Sequence, residues 1–122
     1  MPSPIRRHIG QVFIPVSDLE RSAHWYAQVL AFEPQAFSHE DRILDIPVEA
    51  GPRLALDASR PGFTADGPPR FFFWTDDIAA TVQHLRHLDV RVASDIEDIG
   101  SVSFVQFEDP DGNPLMVCQR AG

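Results

Sequence analysis

Val16-Ser17-Asp18-Leu19-Glu20-Arg21-Ser22-Ala23-His24-Trp25-Tyr26, set against Thr75-Asp76-Asp77-Ile78-Ala79-Ala80-Thr81-Val82 some sixty residues later, decides how this chain folds. Each segment leaves an apolar strand, passes an acidic helix start and enters an amphipathic helix. Gln11 stands seven positions before Asp18, and Arg70 seven before Asp77. Leu19, Ala23, Tyr26, Ala27 and Leu30 in the first unit, and Ile78, Val82, Leu85 and Leu88 in the second, recur at offsets of three and four, the spacing of one buried helix stripe. The chain reads as the same small unit written twice. A strand that gives one face to a helix must turn the other toward something else, and in a chain this short that is expected to be a ligand cleft.

Outward from these segments, residues 9–16 alternate Val12, Ile14 and Val16 with Gln11, Phe13 and Pro15, the period of a strand with one face in the core. Ser17 or Asp18 caps the first helix, and Ser17-x-x-Glu20 has capping-box spacing. Short strands are expected at 42–46 and 52–57. Residues 58–69, rich in Pro, Gly, Asp and Ser, read as a connection between the halves. The second half follows with a strand at 70–75, a helix at 78–88 and strands near 91–93, 102–107 and 115–119. One domain is expected, with module one at about 5–57 and module two at 70–119. Asp109-Pro110-Asp111-Gly112-Asn113 reads as a tight turn, with Gly112 free to take a positive φ.

With 122 residues, 43% of them hydrophobic, the chain can bury one core and not two independent ones. A formal net charge of −8 argues against a nucleic-acid partner and against an anionic membrane surface, either of which calls for a basic stripe. No apolar run approaches membrane-spanning length, and residues 1–8 lack the apolar centre of a signal peptide, so a cytoplasmic location is expected. The single cysteine, Cys118, has no partner for an internal disulfide.

Residues 11–22 (Gln11-Val12-Phe13-Ile14-Pro15-Val16-Ser17-Asp18-Leu19-Glu20-Arg21-Ser22), Trp25-Tyr26 and the later Phe107-Glu108-Asp109-Pro110-Asp111-Gly112-Asn113 together resemble the glyoxalase, bleomycin resistance protein and extradiol dioxygenase superfamily, also called vicinal oxygen chelate. The resemblance spans Ile9 to Cys118. It implies an α+β fold of two tandem βαβββ modules forming an incomplete curved barrel with helices outside, and single-domain members of this kind commonly form homodimers.

The resemblance also implies where a metal would sit: on the first strand, on a third or fourth strand, on the strand opening the second half and on the last strand. These positions fall on Gln11, Ala55, Arg70 and Met116. A divalent ion needs deprotonated or neutral donors at about 2.0–2.3 Å, and an alanine, a guanidinium and a thioether do not supply them. No cofactor is therefore expected. The weaker alternative is a divalent metal held by Gln11, Asp57 and Cys118. Nucleophile elbows, phosphate loops, His-Glu-x-x-His and Cys-x-x-Cys are all missing from the sequence. Of the histidines, His84, His87 and His24 read as solvated helix residues and His8 as part of the terminus. His39, in a polar loop, is the best placed to lean over a cleft.

What remains is apolar and aromatic. Gln11, Phe13, Asp57, Arg70, Phe72, Trp74, Phe104, Gln106 and Met116 are expected to line the cleft, while Phe71 and Phe73 supply the opposite, helix-facing parity. Each aromatic alone is as readily a core filler, and Arg70 is either solvated, paired with Asp57, or an anchor for a carboxylate or phosphate. Two functions follow: a metal-free protein of the bleomycin-resistance kind that sequesters a small organic molecule, or a lyase or dioxygenase of the same superfamily. The acidic net charge leans slightly toward a cationic ligand.

Overall fold

Both helices start where the sequence places an aspartate. Asp18 holds extended backbone and accepts a hydrogen bond from the Arg21 backbone N–H at 3.1 Å, opening α1 (Leu19–Leu30). Asp77 does the same for Ala80 at 3.0 Å, opening α2 (Ile78–His87). The carboxylate at each start satisfies an N–H that has no partner within the helix. Ser17 forms no capping box. Its hydroxyl and backbone N–H are drawn instead to Asp111, at the far end of the sequence. The computed structural model describes residues 2–33 and 42–121, so His39 lies outside the described residues.

Three strands of the first half, β1 (Gln11–Pro15), β2 (Ile43–Ile46) and β3 (Arg53–Asp57), form a sheet in the order β1-β3-β2. In the second half β4 (Phe73–Trp74), β5 (Arg91–Val92), β6 (Glu97–Asp98), β7 (Val102–Glu108) and β8 (Pro114–Arg120) form a sheet in the order β4-β8-β7-β5, with β6 also on β7. In each sheet the strand before the helix lies parallel to the last strand of its half, as a helical crossover requires. The fold is α+β, with two helices, mixed sheets and no closed barrel among the described residues.

The two halves match bond for bond at this point. Val16 N–H donates to Asp57 O at 3.0 Å, and Thr75 N–H donates to Cys118 O at 2.9 Å. Both donors stand two residues before the capping aspartate, so the spacing that suggested a repeat is also the spacing of the ladder. In the first half the alignment of Gln11 with Arg70 places Arg53 opposite Gln11. Extended to the second half, it would place Pro114 opposite Arg70, but β4 is only two residues long. Arg70, expected to open that strand, lies before it. Pro68 and Pro69 donate no backbone hydrogen bond and keep this stretch out of the ladder. One strand was unforeseen: β6, a short hairpin partner of β7 over two acidic, exposed residues.

The helix-facing residues of both sheets, among them Ile14, Leu44, Leu54, Leu56, Val105, Phe107, Leu115 and Val117, share one buried cluster with Leu19, Ala23, Tyr26, Ile78, Val82 and Leu85. Phe71 and Phe73 pack against that cluster, edge to face with each other. No described helix is long and apolar enough to cross a membrane.

Candidate ligand-binding face

The turn at 109–113 does more than reverse the chain. Gly112 takes φ 86°, and its N–H donates to Asp109 O at 2.9 Å. Asp109, buried, accepts from the Tyr26 hydroxyl at 2.7 Å, from Asn113 Nδ2 at 2.8 Å, and from the Asn113 and Asp111 backbone N–H groups. Asn113 Nδ2 also donates to Pro15 O at 2.8 Å, and Asp111 takes Ser17 and Arg21. The two motifs that carried the resemblance therefore touch, and they staple the first helix to the last hairpin. Burial and the neighbouring Asp109 carboxylate push the Tyr26 hydroxyl well above its ordinary pKa.

On the sheet of β7 and β8, the face turned from the helices is set by register. Trp74 lies opposite Cys118, and Cys118 opposite Phe104, while Gln106 lies opposite Met116. Cross-strand partners share a face, so Trp74, Phe104, Gln106 and Met116 form one surface, with Phe72 joining it on the same parity. Phe72 and Trp74 are 43% and 51% exposed and meet edge to face at 4.8 Å. Phe104, Gln106 and Met116 are half-buried. Arg120 lies over the indole of Trp74, its guanidinium carbon 4.1 Å from the ring centroid. A last strand taken to end at Gln119 leaves this residue out; the observed strand runs one residue further and puts Arg120 on the parity of the aromatic face.

The corresponding face of the other sheet is polar. Gln11 Nε2 donates to Asp45 Oδ1 at 3.0 Å, and Asp45 is paired with Arg53 at 2.6 Å. Phe13, 46% exposed, stands in the row of Ala55. Asp57 is buried and committed to its own turn, accepting from Ser59 and pairing with Arg60 at 3.2 Å. Burial pushes its carboxyl pKa up, but the Ser59 and Arg60 hydrogen bonds outweigh that and hold it below the ordinary aspartate value. Asp57 is therefore no partner for Arg70, which makes no ion pair among the described residues.

Arg70 and Phe13 line one narrow cavity together with Thr64, Asp66 and Asn113. At about 40 Å³ it admits a water or a very small ion and no organic molecule. Trp74 borders two larger spaces. One, of about 510 Å³, runs beside Leu30, Phe73, Asp77 and His84. The other, of about 390 Å³, is lined by Thr75, Asp76, Gln119 and Arg120. Gln11, Asp57, Phe72, Phe104, Gln106 and Met116 border none of these three. His8, His24, His84 and His87 are exposed; His84 Nε2 lies 2.9 Å from Val29 O, a link between the helices that the sequence did not signal.

The donors present do not fit a divalent ion. The carboxylate of Asp57 is taken by Ser59 and Arg60, and Cys118 lies on the other sheet as a buried thiol whose pKa burial raises, so neither joins Gln11 in a ligand set. Among the described residues no group of three His, Cys, Asp or Glu side chains could hold an ion.

A family model described as Glyoxalase/Bleomycin resistance protein/Dioxygenase superfamily matches residues 8–117. The chain belongs to this superfamily. Among solved structures it is similar to TnmS3, an antibiotic binding protein from Streptomyces sp. CB03234, at 25% identity and a TM-score of 0.80, covering 98% of this chain and 100% of that one. A superfamily member from Sphaerobacter thermophilus DSM 20745 is 23% identical with a TM-score of 0.78, over 94% of this chain and 98% of that one. A lactoylglutathione lyase from Agrobacterium tumefaciens is 17% identical with a TM-score of 0.72, over 94% and 95%. These last two likenesses concern the fold. No curated protein matches the chain. Since one superfamily fold carries several chemistries, the site has to decide between them.

Proposed function

We propose that this protein is a metal-free binding protein that sequesters a small organic ligand on the aromatic face of the β4-β8-β7 sheet, in a cleft completed by a second copy of the chain. The observation that carries the reading is the pair Phe72 and Trp74, half exposed on a face whose other members are Phe104, Gln106 and Met116. Large apolar side chains grouped in this way on a soluble domain mark a surface that something covers. Further exposed apolar residues, Phe13, Ile5, Ile9, Ile96 and Ile99, support a homodimer. The likeness to an antibiotic-binding protein supports the organic-ligand reading over lyase or dioxygenase chemistry, and so does the donor set, in which Gln11 alone keeps a ligand type usual for the superfamily.

In this reading the face supplies apolar area and stacking, with Gln106 as a polar contact that fixes orientation. Cytoplasmic sequestration by a dimer would lower the free concentration of the ligand without changing it chemically. The test is a screen of small metabolites and antibiotics by thermal shift, with sedimentation to measure oligomeric state. Stabilisation by an organic compound in the presence of a chelator, lost on Trp74→Ala, is expected. Turnover that depends on a divalent ion would overturn the reading.

A further inference from the structure

Arg120 is the one guanidinium that stacks on an aromatic ring among the described residues, and it makes no ion pair there. It covers Trp74 at 4.1 Å and borders the same half-open groove of about 390 Å³ beside that ring. We propose that Arg120 is a specificity residue that selects planar aromatic acids for this face. The inference rests on the reading of the face as ligand-binding and adds the chemical class of the ligand.

An aromatic ring that comes to stack on Trp74 meets the guanidinium already there. A ring bearing a carboxylate or another acidic oxygen can take the indole face while Arg120 slides aside and donates two N–H groups to it, so the cation keeps a partner throughout. A neutral ring offers the guanidinium only its outer face, a weaker partner than a carboxylate that accepts two charge-assisted hydrogen bonds. A cationic ring adds repulsion at contact distance.

The net charge of −8 pulls the other way, toward cations. That field is a sum over scattered surface charges and is screened within about 8 Å at physiological salt. A guanidinium at contact distance therefore outweighs it. The nearer opponent is Asp76, exposed in the same space, whose carboxylate would favour a cation. The geometry distinguishes the two: Arg120 lies on the ring where a ligand would stack, and Asp76 sits outside the strand, beyond Thr75.

The test uses one ring with three charges, 2-naphthoate, 2-naphthamide and 2-naphthylmethylammonium, titrated calorimetrically into the full chain at physiological salt. The acid should bind at least about tenfold more tightly than the ammonium compound. Arg120→Ala should collapse that ratio to threefold or less, Arg120→Lys should restore part of it, and Asp76→Asn should leave it or raise it. Arg91→Ala removes the same charge from an exposed residue paired with Glu108 and should leave the ratio unchanged. Circular dichroism checks that each variant folds. Equal binding of the three compounds, tighter binding of the ammonium compound, or a preference that survives Arg120→Ala would overturn the inference while leaving the binding face standing. Failure of all three to bind at millimolar concentration would overturn the inference alone, since the binding face itself is tested by the wider ligand screen.

Discussion

Tyr26→Phe isolates the staple between the first helix and the last hairpin, because it removes one oxygen and leaves the ring. Tyr26 is fully buried, and its hydroxyl donates to Asp109 Oδ2 at 2.7 Å. The ring meets Trp25 edge to face at 4.7 Å, and that contact survives the change. Asp109 keeps Asn113 Nδ2 on the same oxygen and two backbone N–H groups on the other, so the carboxylate loses one of four donors. A hydrogen bond to a charged group contributes about 1.5–3 kcal/mol, and because part of the carboxylate stays satisfied we expect a loss of about 2 kcal/mol. For a domain of this size that is roughly 6–10 °C in Tm. Urea unfolding of the parent, Tyr26→Phe, Asp109→Asn and the double variant should show a coupling of about 1 kcal/mol or more between the two positions. Additive effects, or a loss below about 0.5 kcal/mol for Tyr26→Phe, would refute the staple.

Three further outcomes follow from buried polar groups. Because the Tyr26 pKa is raised in the folded chain, its contribution to stability is complete below the ordinary tyrosine range and lost as pH climbs above about 10; Tyr26→Phe should flatten that alkaline limb of a Tm-against-pH curve. Asp57 has the opposite sign: its pKa is lowered, so its stabilisation is present above about pH 4 and disappears as acid titrates the folded carboxyl, and Asp57→Asn should reduce the acid dependence of Tm. The Ser22 hydroxyl is buried without a hydrogen-bond partner among the described residues, so Ser22→Ala should leave stability within about 0.5 kcal/mol of the parent or raise it; a loss above about 1 kcal/mol would reveal a partner for that oxygen.

The repeat was legible because local physics wrote it twice: an aspartate cap, a stripe at helix spacing and a strand ending at a fixed distance before the cap. Those signals are short-range and survive in one sequence. Ser17 shows their limit. Its spacing to Glu20 fits a capping box, yet Asp111, more than ninety residues away, takes both its donors. The same distance hid the role of Asp109 and Asn113, which read as turn formers and act as a clamp. The aromatic face was legible by parity alone, since Phe72 and Trp74 alternate with core-facing Phe71 and Phe73. Which of the proposed residues border a shared space was not legible. Strand parity places Gln11 and Asp57 on the face opposite the helices, but their side chains are committed to Asp45, Ser59 and Arg60, neighbours that no periodicity announces.

The most direct test of the account is a titration with an organic ligand found in the screen, carried out on chelator-treated Trp25→Phe protein so that Trp74 is the sole indole. Saturable quenching of Trp74, with one ligand bound per aromatic face and an affinity unchanged when zinc, nickel, manganese or iron is added back, is the predicted result. A ligand that binds only after a divalent ion is restored, with that ion held at one equivalent and lost on Gln11→Ala, would contradict it.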